Sequence, residues 1–193
     1  MRALLRSIAI SLIYIFMASC LFAEIFTFSA DKKSGSRAKG REKIVLEGRA
    51  VLASESLTLN ADRIEIIGED FDLIVCTGNV RGVDSEKGLY FATDRLSYDR
   101  IAKITRLTGN STMEDKQNEV VAKARIIEYN DEKGVSLLQI AVRIFKGDLV
   151  CRANWALWRR EEKDLELASS PVVFKGDDEF RAARMKINLD TEE

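Results

Sequence analysis

Ser56-Leu57-Thr58-Leu59-Asn60-Ala61-Asp62-Arg63-Ile64-Glu65-Ile66-Ile67 sets the pattern for the rest of the chain. Leu57, Leu59 and Ala61 alternate with Thr58 and Asn60. After Ala61 the alternation restarts, with Ile64 and Ile66 set against Arg63 and Glu65. A period of two belongs to a strand with one apolar and one polar face. The polar knot Asn60-Ala61-Asp62-Arg63 marks a bend or bulge that resets which side faces inward.

The knot recurs. It follows an alanine or threonine at positions 30, 61, 93, 124, 153 and 183, at spacings of 31, 32, 31, 29 and 30. Ala30-Asp31-Lys32 and Thr93-Asp94-Arg95 keep the acid, whereas Ala124-Arg125, Ala153-Asn154 and Ala183-Arg184 do not. So regular a period in a strand-rich chain implies stacked supersecondary units. A second marker lies between the knots in Leu46-Glu47-Gly48, Thr77-Gly78-Asn79 and Thr108-Gly109-Asn110, and fades at Ile140-Ala141-Val142. Glycine there suits a bent strand, because apolar alternation continues on both sides.

Each repeat is therefore expected to hold about four short strands, such as 43–46, 50–53, 56–60 and 63–67. Turns are expected at 68–70, 84–88, 131–134 and 176–178. Residues 154–164 read as a strand and a charged loop in preference to a short helix, because the repeat phase requires a strand. Residues 34–41, rich in Gly, Ser and Lys, read as a mobile loop.

The 193 residues suffice for one domain, 24–193, and an N-terminal appendage, 1–23. Hydrophobic residues at 46% and charged residues at 32% describe a folded chain and not a disordered one. A net charge of -1 gives no basic excess for nucleic acid. There is no histidine, which excludes Ser-His-Asp and Cys-His nucleophile systems and His-ligated zinc. Asp31, Asp62 and Asp94 recur at the repeat period, so they read as structural groups bonding backbone amides at the bends. No enzyme activity, metal or cofactor is expected. Cys76 and Cys151 read as small buried hydrophobes, with a disulfide between them as the alternative.

Residues 1–6 carry Arg2 and Arg6, and 7–23 carry no charge. A basic segment followed by an apolar one implies export. Cleavage after Ala23 ranks first, ahead of lipidation at Cys20 in Met17-Ala18-Ser19-Cys20 and of retention as a membrane anchor.

Stacked repeats bring two apolar faces together, either as a closed core or as a long apolar groove. The interior candidates are Leu57, Leu59, Ile64, Ile66, Leu89, Phe91, Leu96, Tyr98, Ile127, Tyr129, Trp155 and Leu157. Core and lipid groove call for the same side chains, so either outcome fits the pattern.

Lys43 to Arg63, with Gly48 and Leu57-Thr58-Leu59-Asn60-Ala61-Asp62-Arg63, resembles the signature of the OstA-like family of periplasmic lipopolysaccharide-transport proteins. Thr77-Gly78-Asn79-Val80 and Thr108-Gly109-Asn110 repeat its Gly-Asn element, and Phe26-Thr27-Phe28-Ser29-Ala30-Asp31-Lys32 looks like its opening strand. Arg49, where that family has Asn, and the Trp-bearing fifth repeat depart from it. The resemblance implies an all-β, twisted, open antiparallel β-jellyroll that takes part in outer-membrane biogenesis. It implies that acyl chains of lipopolysaccharide or a similar glycolipid lie between two sheets. It also implies edge-to-edge assembly with related jellyrolls at the inner and outer membranes, or head to tail with itself. The expected docking edges are the strand of Phe26 and Phe28 and the strand of Met185, Ile187 and Leu189. Two alternatives remain: an LptC-like component retained in the inner membrane by 7–23, and a structural or interaction domain without lipid.

Overall fold

A computed structural model describes residues 26–37, 42–68 and 70–191. The expected export segment lies outside the described residues. Fourteen strands carry the described chain. They are β1 (Thr27–Ser29), β2 (Lys32–Ser36), β3 (Lys43–Ala53), β4 (Leu57–Ile67), β5 (Leu73–Asp84), β6 (Leu89–Asp99) and β7 (Ile104–Asp115). Then come β8 (Val120–Asn130), β9 (Val135–Lys146), β10 (Leu149–Arg159), β11 (Asp164–Ala168), β12 (Val172–Lys175), β13 (Asp178–Arg181) and β14 (Arg184–Asn188). All are antiparallel and form one open sheet in chain order, with β1 and β2 at one end and β13 and β14 at the other.

The sheet folds over because its strands bend in the middle. The register shifts between Asn60 and Arg63 in β4, between Thr77 and Val80 in β5, and between Thr108 and Ser111 in β7. Gly78 and Asn79 take φ of 77° and 48° there, and Gly109 takes 110°. A bulge adds one residue, kinks the strand and moves the next apolar residue back to the inner face. Three pairs of the fourteen strands are halves of one bent strand. β2 and β1 pair with successive halves of β3, β11 and β12 with successive halves of β10, and β14 and β13 with β11 and β12.

The halves make two walls. The first holds 32–36, 43–47, 63–67, 73–77, 95–99, 104–108, 126–130, 135–139, 155–159, 164–168 and 184–188. The second holds the other halves. The bulges line up as a spine along one side. The turns of the two walls face each other along the other side, which we call the seam. Between the walls, Leu46, Ile64, Leu96, Leu107, Ile127 and Trp158 meet Leu52, Leu59, Leu89 and Met113, each at most 1% exposed.

The open antiparallel all-β architecture and the 31-residue period are those expected. Three expectations are corrected. The short strands run together in pairs, so 56–60 and 63–67 are the two arms of β4, because hydrogen bonding resumes on both sides of the bulge. Trp155 and Leu157 point outward, while Ala156 and Trp158 are buried, because the bulge between Ala153 and Trp155 shifts the phase by one. Ser34–Ser36, expected in a loop, belong to β2 and pair with Lys43–Val45 of β3. Cys76 and Cys151 are buried free thiols, as first read from the sequence, and the alternative disulfide is not formed. Burial pushes each thiol up to about 12.

Candidate functional site

The spine is built from the knot and the glycine marker acting on each other. The Asp62 carboxylate lies over Gly78 and accepts from Asn79 Nδ2 at 2.8 Å. Asp94 lies over Gly109 and accepts from the Asn110 N–H at 2.9 Å. Asp31 lies over Gly48 and accepts from Arg49 Nη2 at 2.6 Å. A side chain at any of these glycines would collide with the carboxylate, and the positive φ is one that glycine alone adopts without strain. Of the three acids expected to bond backbone amides, Asp94 does so with its side chain, and Asp31 and Asp62 bond the side chain beyond the glycine. Where the knot carries Arg125, the partner bulge has Ile140 and Ala141 at φ of 68° and 55° in place of glycine. A β-branched residue there is strained.

The seam has a different construction. Backbone bonds run only along each rim: Asp131 N–H donates to Lys103 O at 2.9 Å and Arg160 N–H to Gly134 O at 3.0 Å on the first wall. On the second wall, Ser85 N–H donates to Ser56 O at 2.9 Å. Side chains bridge the rims. Lys87 Nζ lies 2.9 Å from Asp131 Oδ1 across the seam and 3.1 Å from Asp84 Oδ2 on its own rim. Arg160 donates through Nη2 to Lys87 O at 2.6 Å, Gln117 Oε1 at 3.0 Å and Asp115 Oδ1 at 3.2 Å. The Asp115 side chain is fully buried and that of Arg160 13% exposed. Burial works against Asp115 ionising, but Arg160 and Asn118 together hold its carboxyl below the usual range. Burial likewise opposes the charge on Lys87, and its two carboxylate partners hold it above the usual lysine range.

Among the described residues, openings reach the interior at the seam, at the β13–β14 end and beside Ile44, Ile66 and Phe71 at the β2–β3 end. The seam cleft, about 160 Å³, brings together Leu57, Leu59, Phe91, Leu96, Tyr98 and Tyr129, with Lys87, Asp84 and Asp131 at its lip. Burial pushes the Tyr129 phenol up to about 12, so it stays a neutral lining group. Ile64, Ile66, Leu89 and Ile127 do not line this cleft and are buried in the core. The end mouth, about 570 Å³, lies at the β13–β14 end. Its apolar lining is Leu149, Val173, Phe180, Met185 and Ile187, and Lys175, Arg181 and Lys186 stand around it.

The residues expected at the docking edges fall into two groups. β1 and β14 are indeed end strands of the sheet. Phe28 is 38% exposed and lies beneath Lys33, 5.3 Å from ring centre to nitrogen; Phe26 packs on the core beneath Arg100 at 4.9 Å. Met185 and Ile187 turn into the end mouth, and Leu189 is buried in the core. Leu149, Val173 and Phe180 were not expected at a site. Residues 172–175 read as a strand in the sequence, but a continuous apolar run does not show which of its residues line an opening. The seam pairs leave no local signal, since Arg160 and Asp115 stand 45 residues apart.

Among the described residues no group of three or more His, Cys, Asp or Glu is placed to hold a metal ion, and no helix is long and apolar enough to cross a membrane. The chain is thus an open-ended bent-strand β-jellyroll with an apolar interior reached through a seam and an end. No family model and no curated protein matches it. A solved structure that it resembles is described as LptH, the LptA-homologous periplasmic component of the conserved lipopolysaccharide transport device from Pseudomonas aeruginosa. Identity is 10%, 85% of this chain and 94% of that chain are covered, and the TM-score is 0.34. At that score the two backbones superpose too loosely for the likeness to bear on this chain's function.

Proposed function

We propose that this chain is a periplasmic carrier of an anionic glycolipid of the lipopolysaccharide type, taking up acyl chain through the end mouth. The observation that carries this reading is the mouth itself: about 570 Å³ of apolar-lined space, open to the surface, with three cationic side chains around it. That volume falls in the range of small-molecule sites. Each methylene that enters leaves water with a gain of about 0.8 kcal/mol, while lipid phosphates remain outside beside Lys175, Arg181 and Lys186. The seam cleft is the second foothold. At about 160 Å³ it is close to the size of a cavity that holds one benzene, so it accepts one stretch of chain unless the seam parts. Among the described residues no strand pairs with the outer edges of β1, β2, β13 and β14, which suits strand addition by related jellyrolls or a second copy.

Photoreactive residues at Phe180 and Tyr98 test the reading, with Thr58, on the outer face, as control. Lipid captured at the first two and not at Thr58 supports it; equal capture at all three sinks it. A second reading, a structural or interaction β-repeat, is favoured by the closely filled middle of the molecule, where Leu46, Ile64, Cys76, Ile127 and Leu138 have no exposed surface. That reading expects capture at none of the three.

A further inference from the structure

The middle strands of the second wall, β8 to β10, differ from the first wall in how their outer face treats charge. On the first wall cations and carboxylates stand opposite one another. Lys43 Nζ lies 2.8 Å from Glu65, Arg63 Nη2 lies 2.7 Å from Glu65, Arg106 Nη2 lies 3.1 Å from Glu128, and Arg159 Nη1 lies 2.7 Å from Asp164. On the second wall Lys123 of β8 stands in register with Arg143 of β9, and Arg143 with Arg152 of β10. Like charges directly opposite one another on neighbouring strands are unfavourable. All three side chains are exposed, and among the described residues none has a carboxylate within ion-pairing distance. The outward residues of these three strands, Val121, Lys123 and Arg125, then Ala141, Arg143 and Phe145, then Val150, Arg152 and Asn154, include no acid. A shallow depression of about 260 Å³ lies among Lys123, Arg125 and Arg143, with Asn110, Ser111 and Thr112 beside them.

A second row lies two residues along, where Val121 is in register with Phe145, Phe145 with Val150, and Val150 with Phe174; it ends at Glu114, paired with Lys116, on one side and at Glu179, paired with Arg181, on the other. Two residues of strand separate the rows by about 7 Å. Lys123 Nζ sits 5.8 Å from the Phe145 ring centre, and Arg152 Cζ sits 5.1 Å from that of Phe174. One side of each ring is thus occupied by a cation, which disfavours stacking with nucleobases.

We propose that the outer face of the second wall docks on an anionic phospholipid bilayer, with Lys123, Arg125, Arg143 and Arg152 at the headgroup phosphates and the Phe145–Phe174 row at the acyl boundary. Parallel basic and aromatic rows match the layering of a bilayer surface. The inference does not depend on lipid entering the interior.

Co-sedimentation of the full chain with phosphatidylcholine vesicles, with and without phosphatidylglycerol, tests it. Binding should require phosphatidylglycerol and weaken as salt is raised. Arg143→Gln should lower partitioning about fivefold, and Lys123→Gln with Arg143→Gln about 25-fold, at one lost phosphate attraction per cation. Arg106→Gln, on the paired face, should leave partitioning unchanged, and both face variants should keep the Tyr98 and Phe180 crosslinks. Any contribution from the apolar stretch 7–23 is common to all variants. Equal binding of parent and double variant overturns the proposal. So does competition by soluble glycerol phosphate as strong as that by vesicles, which would mark a site for small phosphates.

Discussion

Along the spine each strand passes from one wall to the other through its own backbone; along the seam, among the described residues, every polar contact between the walls is made by a side chain. Spine positions are set by covalent geometry, with Gly48, Gly78 and Gly109 beneath Asp31, Asp62 and Asp94. Seam positions are set by Lys87 with Asp131 and by Arg160 with Asp115. The first joint acts as a fixed hinge line and the second can part without unfolding a strand. The proposed carriage of lipid requires both, one side that keeps register and one that yields.

The largest test of that contrast is Asp115→Ala. It leaves Arg160 buried without its carboxylate and strips the cap from the Gln117 and Asn118 N–H groups, which donate to Asp115 Oδ1 at 3.0 and 3.1 Å. The expected loss is about 3–5 kcal/mol in urea denaturation. Asp115→Leu combined with Arg160→Met should lose much less, because no charge is stranded. A loss below about 1 kcal/mol for Asp115→Ala would mean that the seam is not held there.

Acid acts on the same joint. The folded-state carboxyl of Asp115 is held below its unfolded value, near 3.9, so its contribution is fully present above about pH 4 and is lost as pH falls through the folded value. Tryptophan fluorescence should report loosening around Trp158 in that window. In Asp115→Leu with Arg160→Met this component should disappear.

A smaller effect is expected at the spine. Gly109→Ala forces an L side chain to φ of 110° and into the Asp94 carboxylate, at a cost of about 1–3 kcal/mol by thermal melting. The smallest is a gain: Ile140→Gly relieves a strained, 53% exposed β-branched residue and should stabilise by about 0.5–1 kcal/mol. Destabilisation there would show that Ile140 is held by a contact and not tolerated as strain.

The spine was readable in the sequence and the seam was not. Alternation on both sides of Ala61-Asp62 exposed the bulge, and the 31-residue recurrence exposed the column, since both are local signals. The fourth bulge was harder to see because Ile140 replaces the glycine once Arg125 replaces the acid. The fifth repeat misled through composition. Trp155 and Leu157 are attractive core residues, but counting three and five onward from Ala153, as Ile64 and Ile66 follow Ala61, leads to Ala156 and Trp158. Six of the ten expected groove residues meet at the seam cleft, yet nothing in the sequence shows that Lys87 and Asp131 close its lip, because that pairing depends on how the walls fold over.

Native mass spectrometry of the full chain, purified without detergent exchange, tests the central claim most directly. The account predicts adducts whose masses match an acyl-bearing glycolipid, lost in Phe180→Asp, which places a charge in the end mouth at a half-exposed position. A lipid-free parent chain, or adducts that persist unchanged in Phe180→Asp, would contradict it.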